Sequence, residues 1–168
     1  ERAGDTATAI EYAEMVVAEH PGSQVALNTL ARLSEQHGDL HEAARALKRL
    51  IGLAITPSER AALLHRLGEL YQNRLDDPEL AADAYLKAID LDPQHVPTLR
   101  RLLDHYWREG DIAELADIAR SLAELAALLD NETSLTTLTR CLIAAAVLDD
   151  EVLARRLVQR IGGALAPI

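Results

Sequence analysis

Ala-Ala-Leu-Leu-His-Arg-Leu-Gly-Glu-Leu-Tyr-Gln-Asn-Arg-Leu-Asp-Asp-Pro-Glu-Leu-Ala-Ala-Asp-Ala-Tyr-Leu-Lys-Ala-Ile-Asp-Leu-Asp-Pro, residues 61–93, is the stretch on which the fold of this 168-residue chain turns. Read at helical period, it is two amphipathic segments joined by a short polar turn. The first carries Leu64, Leu67, Gly68 and Tyr71 on one stripe, and the second carries Ala81, Tyr85 and Ala88 before Pro93 ends it. Large side chains fill space, while Gly68, Ala81 and Ala88 let two helix backbones approach closely. The residue sizes specify a helix hairpin.

Turn dipeptides repeat this unit along the chain. Gly4-Asp5 and Gly38-Asp39 are 34 residues apart, as are Asp76-Asp77 and Gly110-Asp111. The interval from Gly38 to Asp76 is 38, and we assign three of the extra residues to Pro57–Arg60 and one to a long turn after Leu75. Asp149-Asp150 follows Gly110 after 39, with the excess placed near residues 129–134. A period near 34 with this order of large, small, aromatic, small, aromatic, small and proline resembles the tetratricopeptide repeat; the ankyrin signature is absent. The resemblance is strongest over 61–93 and rests on spacing elsewhere.

The resemblance implies an all-α, right-handed α-solenoid of antiparallel helix hairpins with no β-sheet. Residues 1–22 read as the second helix of a truncated repeat, over about Thr6 to Glu19, with Ala9, Ala13 and Val16 in the places of Ala81, Tyr85 and Ala88. Residues 23–57 form a repeat with Leu27, Leu30 and Ala31, then Ala43, Leu47 and Leu50, facing inward. Ile55 stands in the proline's place, so its second helix is expected to end less sharply. Residues 58–94 are the best-matching repeat, with Ser58 as the expected N-cap. Residues 95–131 place Leu99, Leu102, Leu103 and Tyr106 against Leu115, Ala119 and Leu122, the second helix running to Leu129. Residues 132–168 are a degenerate repeat or cap, using Leu138, Cys141, Leu142 and Ala145, then Ala154, Val158 and Ile161, and stopping at Gly162-Gly163.

Composition agrees with helices. There is no Phe, aromatic residues are 3% and hydrophobic residues 49%, so the core is built from Leu and Ala. A formal charge of −10 opposes nucleic-acid binding, which depends on Lys and Arg neutralising phosphates. No apolar run is long enough to span a bilayer, so no membrane role is expected. The single cysteine, Cys141, forms no internal disulfide and suits a reducing, cytoplasmic setting. Cys141 falls on an inward stripe, where burial rather than reactivity is expected.

Residue chemistry points away from catalysis. No glycine-rich phosphate loop, paired-cysteine spacing or nucleophile motif is present. His37 and His41 have metal-like spacing, but Gly38-Asp39 breaks the helix between them, so neither a metal nor another cofactor is expected. Asn131-Glu132-Thr133 is a glycosylation sequon relevant only to a secreted chain.

Charge is distributed unevenly. In a helix-hairpin array the first helices line the groove where peptides or partner segments bind. Residues just round from the buried stripe are Asn28 and Arg32, then His65, Arg66, Glu69 and Asn73, then Arg100, Arg101, Asp104, Trp107 and Arg108, and finally Arg140. Arginine dominates this set, although acids outnumber bases 27 to 17 in the chain. The expectation is a non-catalytic protein-interaction scaffold that takes an acidic peptide through bidentate Arg contacts around Trp107. The alternatives are pairing of these arginines with neighbouring acids, self-association through the incomplete first repeat to give a homodimer, and service as a docking or regulatory segment of a larger protein. Family members that clamp a C-terminal carboxylate use lysines that this sequence lacks, so that activity is not carried over.

Overall fold

The computed structural model describes residues 2–124, 139–143, 145, 146, 149, 151, 152, 154, 155, 157 and 158. The chain divides into two compact units, residues 1–91 and 92–168. The first holds α1 (Arg2–Glu19), α2 (Gln24–His37), α3 (Leu40–Leu53), α4 (Pro57–Leu70), a π-helical turn (Tyr71–Leu75) and α5 (Pro78–Leu91). The second holds α6 (Val96–Glu109) and α7 (Ile112–Glu124), followed by helical residues around Cys141 and Arg155. Each helix packs on its sequence neighbour: α1 on α2, α2 on α3, α3 on α4 and α4 on α5 in the first unit, and α6 on α7 in the second. The described residues are helices and turns throughout, with no strand among them.

Two-residue turns make the hairpins. Left-handed backbone occurs at Gly38 (φ 95°), Asp76 (φ 53°), Gly110 (φ 74°) and Asp149 (φ 56°), each the first residue of an expected turn dipeptide. That conformation ends one helix and frees the next residue to begin another. Asp39, Asp77 and Asp111 then accept hydrogen bonds from the backbone N–H groups of Glu42, Leu80 and Glu114 at 3.2, 2.9 and 3.3 Å. The same carboxylates favour the positive end of the helix dipole.

The expected long turn after Leu75 takes a different form. After α2, the N–H groups of Gly38 and Asp39 both donate to the Ser34 carbonyl; after Tyr71, those of Asp76 and Asp77 both donate to the Tyr71 carbonyl, one residue further back. The extra residue is therefore stored inside the helix as a π-helical turn rather than in the loop. Asp tolerates the left-handed conformation better than most non-glycine residues, which explains its place there.

Other expectations are corrected. Gly4-Asp5 is no turn, because α1 runs through it from Arg2. Thr56, not Ser58, caps α4: its hydroxyl accepts from the Glu59 N–H at 3.1 Å. Pro57 occupies the first helical turn, where its missing N–H is harmless, and this moves the cap one residue before it. α3 ends cleanly despite Ile55, since Ala54 is extended (ψ 130°) and Arg60 donates to its carbonyl at 3.0 Å. In the last hairpin Leu157 is buried, whereas Val158 is 56% exposed, so the inward stripe runs one residue earlier than expected. The expected run of α7 to Leu129, the insertion at 129–134, Leu138, Ile161 and Gly162-Gly163 lie outside the described residues.

The core depends on an exchange of sizes between paired helices. Gly68 of α4 lies directly on Tyr85 of α5; a Cβ built on Gly68 would sit 2.7 Å from Tyr85 Cδ1 and 2.9 Å from Cζ. At the corresponding positions the hairpin of α2 and α3 has Ala31 and Leu47, and that of α6 and α7 has Leu103 and Ala119, all buried. A larger first residue goes with a smaller second one, which keeps the volume between backbones nearly constant. We predict that Gly68→Ala destabilises the protein by about 1–3 kcal/mol in chemical denaturation, and that adding Tyr85→Leu recovers most of the loss. Additive losses in the double variant would refute the size exchange.

Candidate partner-binding surfaces

The first helices α2 and α4 border an open groove of about 560 Å³. Its apolar lining comes from Val25, Leu50, Ala62 and Leu63, and its polar rim from Gln24, Asn28, Thr29, Glu59 and Arg66. The rim is organised by Arg66. This guanidinium donates to Asn28 Oδ1 at 2.8 Å and to Glu35 Oε1 at 2.9 Å, forming an ion pair with Glu35. Arg74, from the π-helical turn, donates to the Glu35 carbonyl at 3.3 Å. Asn28 and Glu35 are two helical turns apart and so share a face of α2. Glu35 was not among the expected site residues; its position seven after Asn28 was the signal that could have found it.

The remaining expected residues are placed as follows. His65 packs against Tyr85 with ring centres 5.6 Å apart and the rings tilted by 39°, and it lies 3.8 Å from Glu69, so it faces its own hairpin as much as the groove. Arg32 is exposed on α2 and reaches Gln36 at 3.4 Å. Asn73 is exposed within the π-helical turn. In the second unit, Arg140 pairs with Asp104 and lies over the Trp107 ring at 5.6 Å, so three expected residues meet. Arg100 and Arg101 are half-buried on α6, and Arg108 is exposed. Two of the arginines, Arg66 and Arg140, thus have carboxylate partners within the protein. Each carries less net charge toward a ligand than the sequence count implies.

Cys141, next to Arg140, is fully buried. Burial pushes its thiol up to about 12, while its own backbone hydrogen bond and then the Arg140 charge pull weakly the other way. The raised value means that burial of the neutral thiol costs nothing below the ordinary thiol range, and stability falls as pH rises above that range toward 12. Among the described residues no group of three His, Cys, Asp or Glu side chains could hold a metal ion. No helix is long and apolar enough to cross a membrane, among the same residues.

These features define a helical-repeat protein whose open surfaces are lined by first helices. The chain belongs to the tetratricopeptide repeat family: two family models with that description match, over residues 2–67 and 61–95, together more than half of the chain. No curated protein matches its sequence significantly. The crystal structure of MamA matches with a TM-score of 0.64 at 20% identity, covering 96% of this chain and 88% of that one. The nearly identical TPR-like repeats of a putative kinesin light chain from Podosopora anserina match with a TM-score of 0.57 at 18% identity, covering 97% of this chain and 88% of that one. At these identities the likeness is one of fold.

We predict that Cys141 in the native protein reacts with iodoacetamide at pH 8 at least about a hundredfold more slowly than in the unfolded chain. Equal rates, measured by mass spectrometry, would show that the thiol is neither buried nor raised.

Proposed function

We propose that the chain is a non-catalytic protein-interaction scaffold that binds an extended segment of a partner between α2 and α4. The carrying observation is the groove itself: an apolar floor with a positioned guanidinium at its rim. The floor supplies affinity by removing apolar surface from water, and the rim supplies orientation. A ligand carboxylate that reaches Arg66 competes with Glu35, which is partly exposed and can turn into solvent. Exchanging one carboxylate for another yields little net energy, so the acidic group sets register and preference while the apolar side chain on Leu50 and Leu63 supplies most of the binding.

A second patch on the other unit has the same chemistry, with Trp107 as the apolar element and Arg140 as the charge held by Asp104. Arg100, Arg101 and Arg108 on α6 extend it. The repeat frame of this reading is 23–57, 58–94, 95–131 and 132–168, with residues 1–22 in the place of a second helix.

Peptides that present one leucine flanked either by glutamates or by glutamines test the proposal. By fluorescence anisotropy, the glutamate version is expected to bind about tenfold more tightly, a difference of about 1.4 kcal/mol, and to lose that margin in Arg66→Glu. Ala62→Tyr, which fills the groove from an exposed position, is expected to weaken both peptides. Arg100→Glu with Arg101→Glu reports on the second patch in the same way. Equal binding of both peptides to the wild type and to Arg66→Glu would remove the acidic ligand, and indifference to Ala62→Tyr would remove the groove.

A further inference from the structure

The groove between α2 and α4 has two chemically different ends. Partners advance together along the two helices, Asn28 with Arg66 and then Glu35 with Arg66 and Arg74, so α2 and α4 run side by side in the same direction. Gln24 and Glu59 therefore stand at the N-terminal end of the groove, and Asn28 and Arg66 at the other, with the apolar floor between them.

The N-terminal end offers acceptors. Glu59 takes the Ile55 N–H on Oε2 at 3.2 Å, and no arginine or lysine pairs with it among the described residues. One carboxylate oxygen serves the start of α4; Oε1 is left for a ligand. Gln24 donates from Nε2 to the Leu53 carbonyl at 3.2 Å, which leaves its amide oxygen as a second acceptor. The other end offers donors. Asn28 accepts from Arg66 on Oδ1, so its Nδ2 remains beside the Arg66 guanidinium. Glu35 already balances Arg66, whereas Glu59 has no cation beside it. The net charge along the groove is thus negative and sits at the N-terminal end, the opposite of what a count of arginines suggests.

We infer that the occupant is an extended segment of a partner protein with a basic, an apolar and an acidic residue at alternate positions. This rests on the groove being a peptide-binding surface and adds the charge order that its ligand must have. Glu59 and Arg66 are seven residues apart on one helix, about 10 Å along its axis. In an extended segment, side chains on one face recur about every 6.7 Å, so the outer two of three are about 13 Å apart. The flexible ends of lysine and glutamate take up the difference. The basic group then meets Glu59 and Gln24, the apolar side chain covers Leu50 and Leu63, and the carboxylate reaches Arg66 and Asn28. A segment with two acids sets a like charge against Glu59, and one with two bases sets a like charge against Arg66. The mixed order satisfies both ends.

Two labelled peptides, Lys-Ser-Leu-Ser-Glu and Glu-Ser-Leu-Ser-Glu, titrated with the whole chain by fluorescence anisotropy, test this. The wild type is expected to bind the lysine peptide about fivefold more tightly at low salt, the scale of one exposed charge pair. Raising the salt from about 0.02 to about 0.5 M is expected to shrink that margin, because both groups are exposed. Glu59→Gln keeps an acceptor for the Ile55 N–H and is expected to reduce the preference to about twofold or less. Glu59→Lys is expected to reverse it. Glu79→Gln makes the same change of net charge outside the groove, in the first turn of α5, and is expected to leave the preference intact. Circular dichroism checks the folding of each variant. A wild type without the lysine preference, or a preference indifferent to Glu59→Gln, overturns the charge order; the groove itself still stands if Ala62→Tyr weakens both peptides. Failure of both peptides to bind overturns the groove and the charge order together.

Discussion

The two-residue turn between paired helices is the constraint on which the rest of this structure depends. A helix that ends in the left-handed conformation reverses direction at once, and an Asp immediately after it caps the next helix before any loop can form. The reversal leaves adjacent helices no choice but to lie antiparallel and in contact. It also fixes the period, because each turn restarts a helix of the same length. α2, α3, α4, α5 and α6 are each 14 residues long. Even the irregular turn at Asp76 keeps this logic, since its extra residue is taken up by widening the last helical turn.

Antiparallel contact then sets a second requirement, a conserved amount of space between the two backbones. Gly68 against Tyr85 shows the limit of that requirement, where one side chain has vanished so that the other can be aromatic. The hairpin of α2 and α3 reaches the same volume with Ala31 and Leu47, and that of α6 and α7 inverts the order with Leu103 and Ala119. Function occupies what this packing leaves over. Residues that point into the hairpin hold the scaffold, and those one step round the helix, such as Asn28 and Arg66, are free to build a groove.

The surfaces were only partly legible. Asn28, Arg66, Asp104, Trp107 and Arg140 could be named because helical periodicity says which residues lie beside a buried stripe. Pairing of these arginines with acids on neighbouring helices, Asp104 among them, was an open alternative; that Arg66 takes Glu35 and Arg140 takes Asp104 depends on how those helices are set against each other. The count of arginines suggested a strongly basic groove; Arg66 and Arg140 each have a carboxylate partner within the protein. His65 shows the same dependence. Its neighbour Tyr85 comes from the other helix of the hairpin.

By itself the sequence determined the helix hairpins, their turns and the period of about 34 residues, since these follow from local rules of capping, residue size and the 3.6-residue repeat. Local rules also determined that the core would be Leu and Ala. Only the tertiary structure decided that Thr56 outranks Ser58 as a cap, that the extra residue near Leu75 is stored as a π-helical turn, and that Leu157 rather than Val158 turns inward. It alone decided which charges meet. These outcomes depend on contacts between residues far apart in the chain, and no periodicity along one helix encodes the position of another.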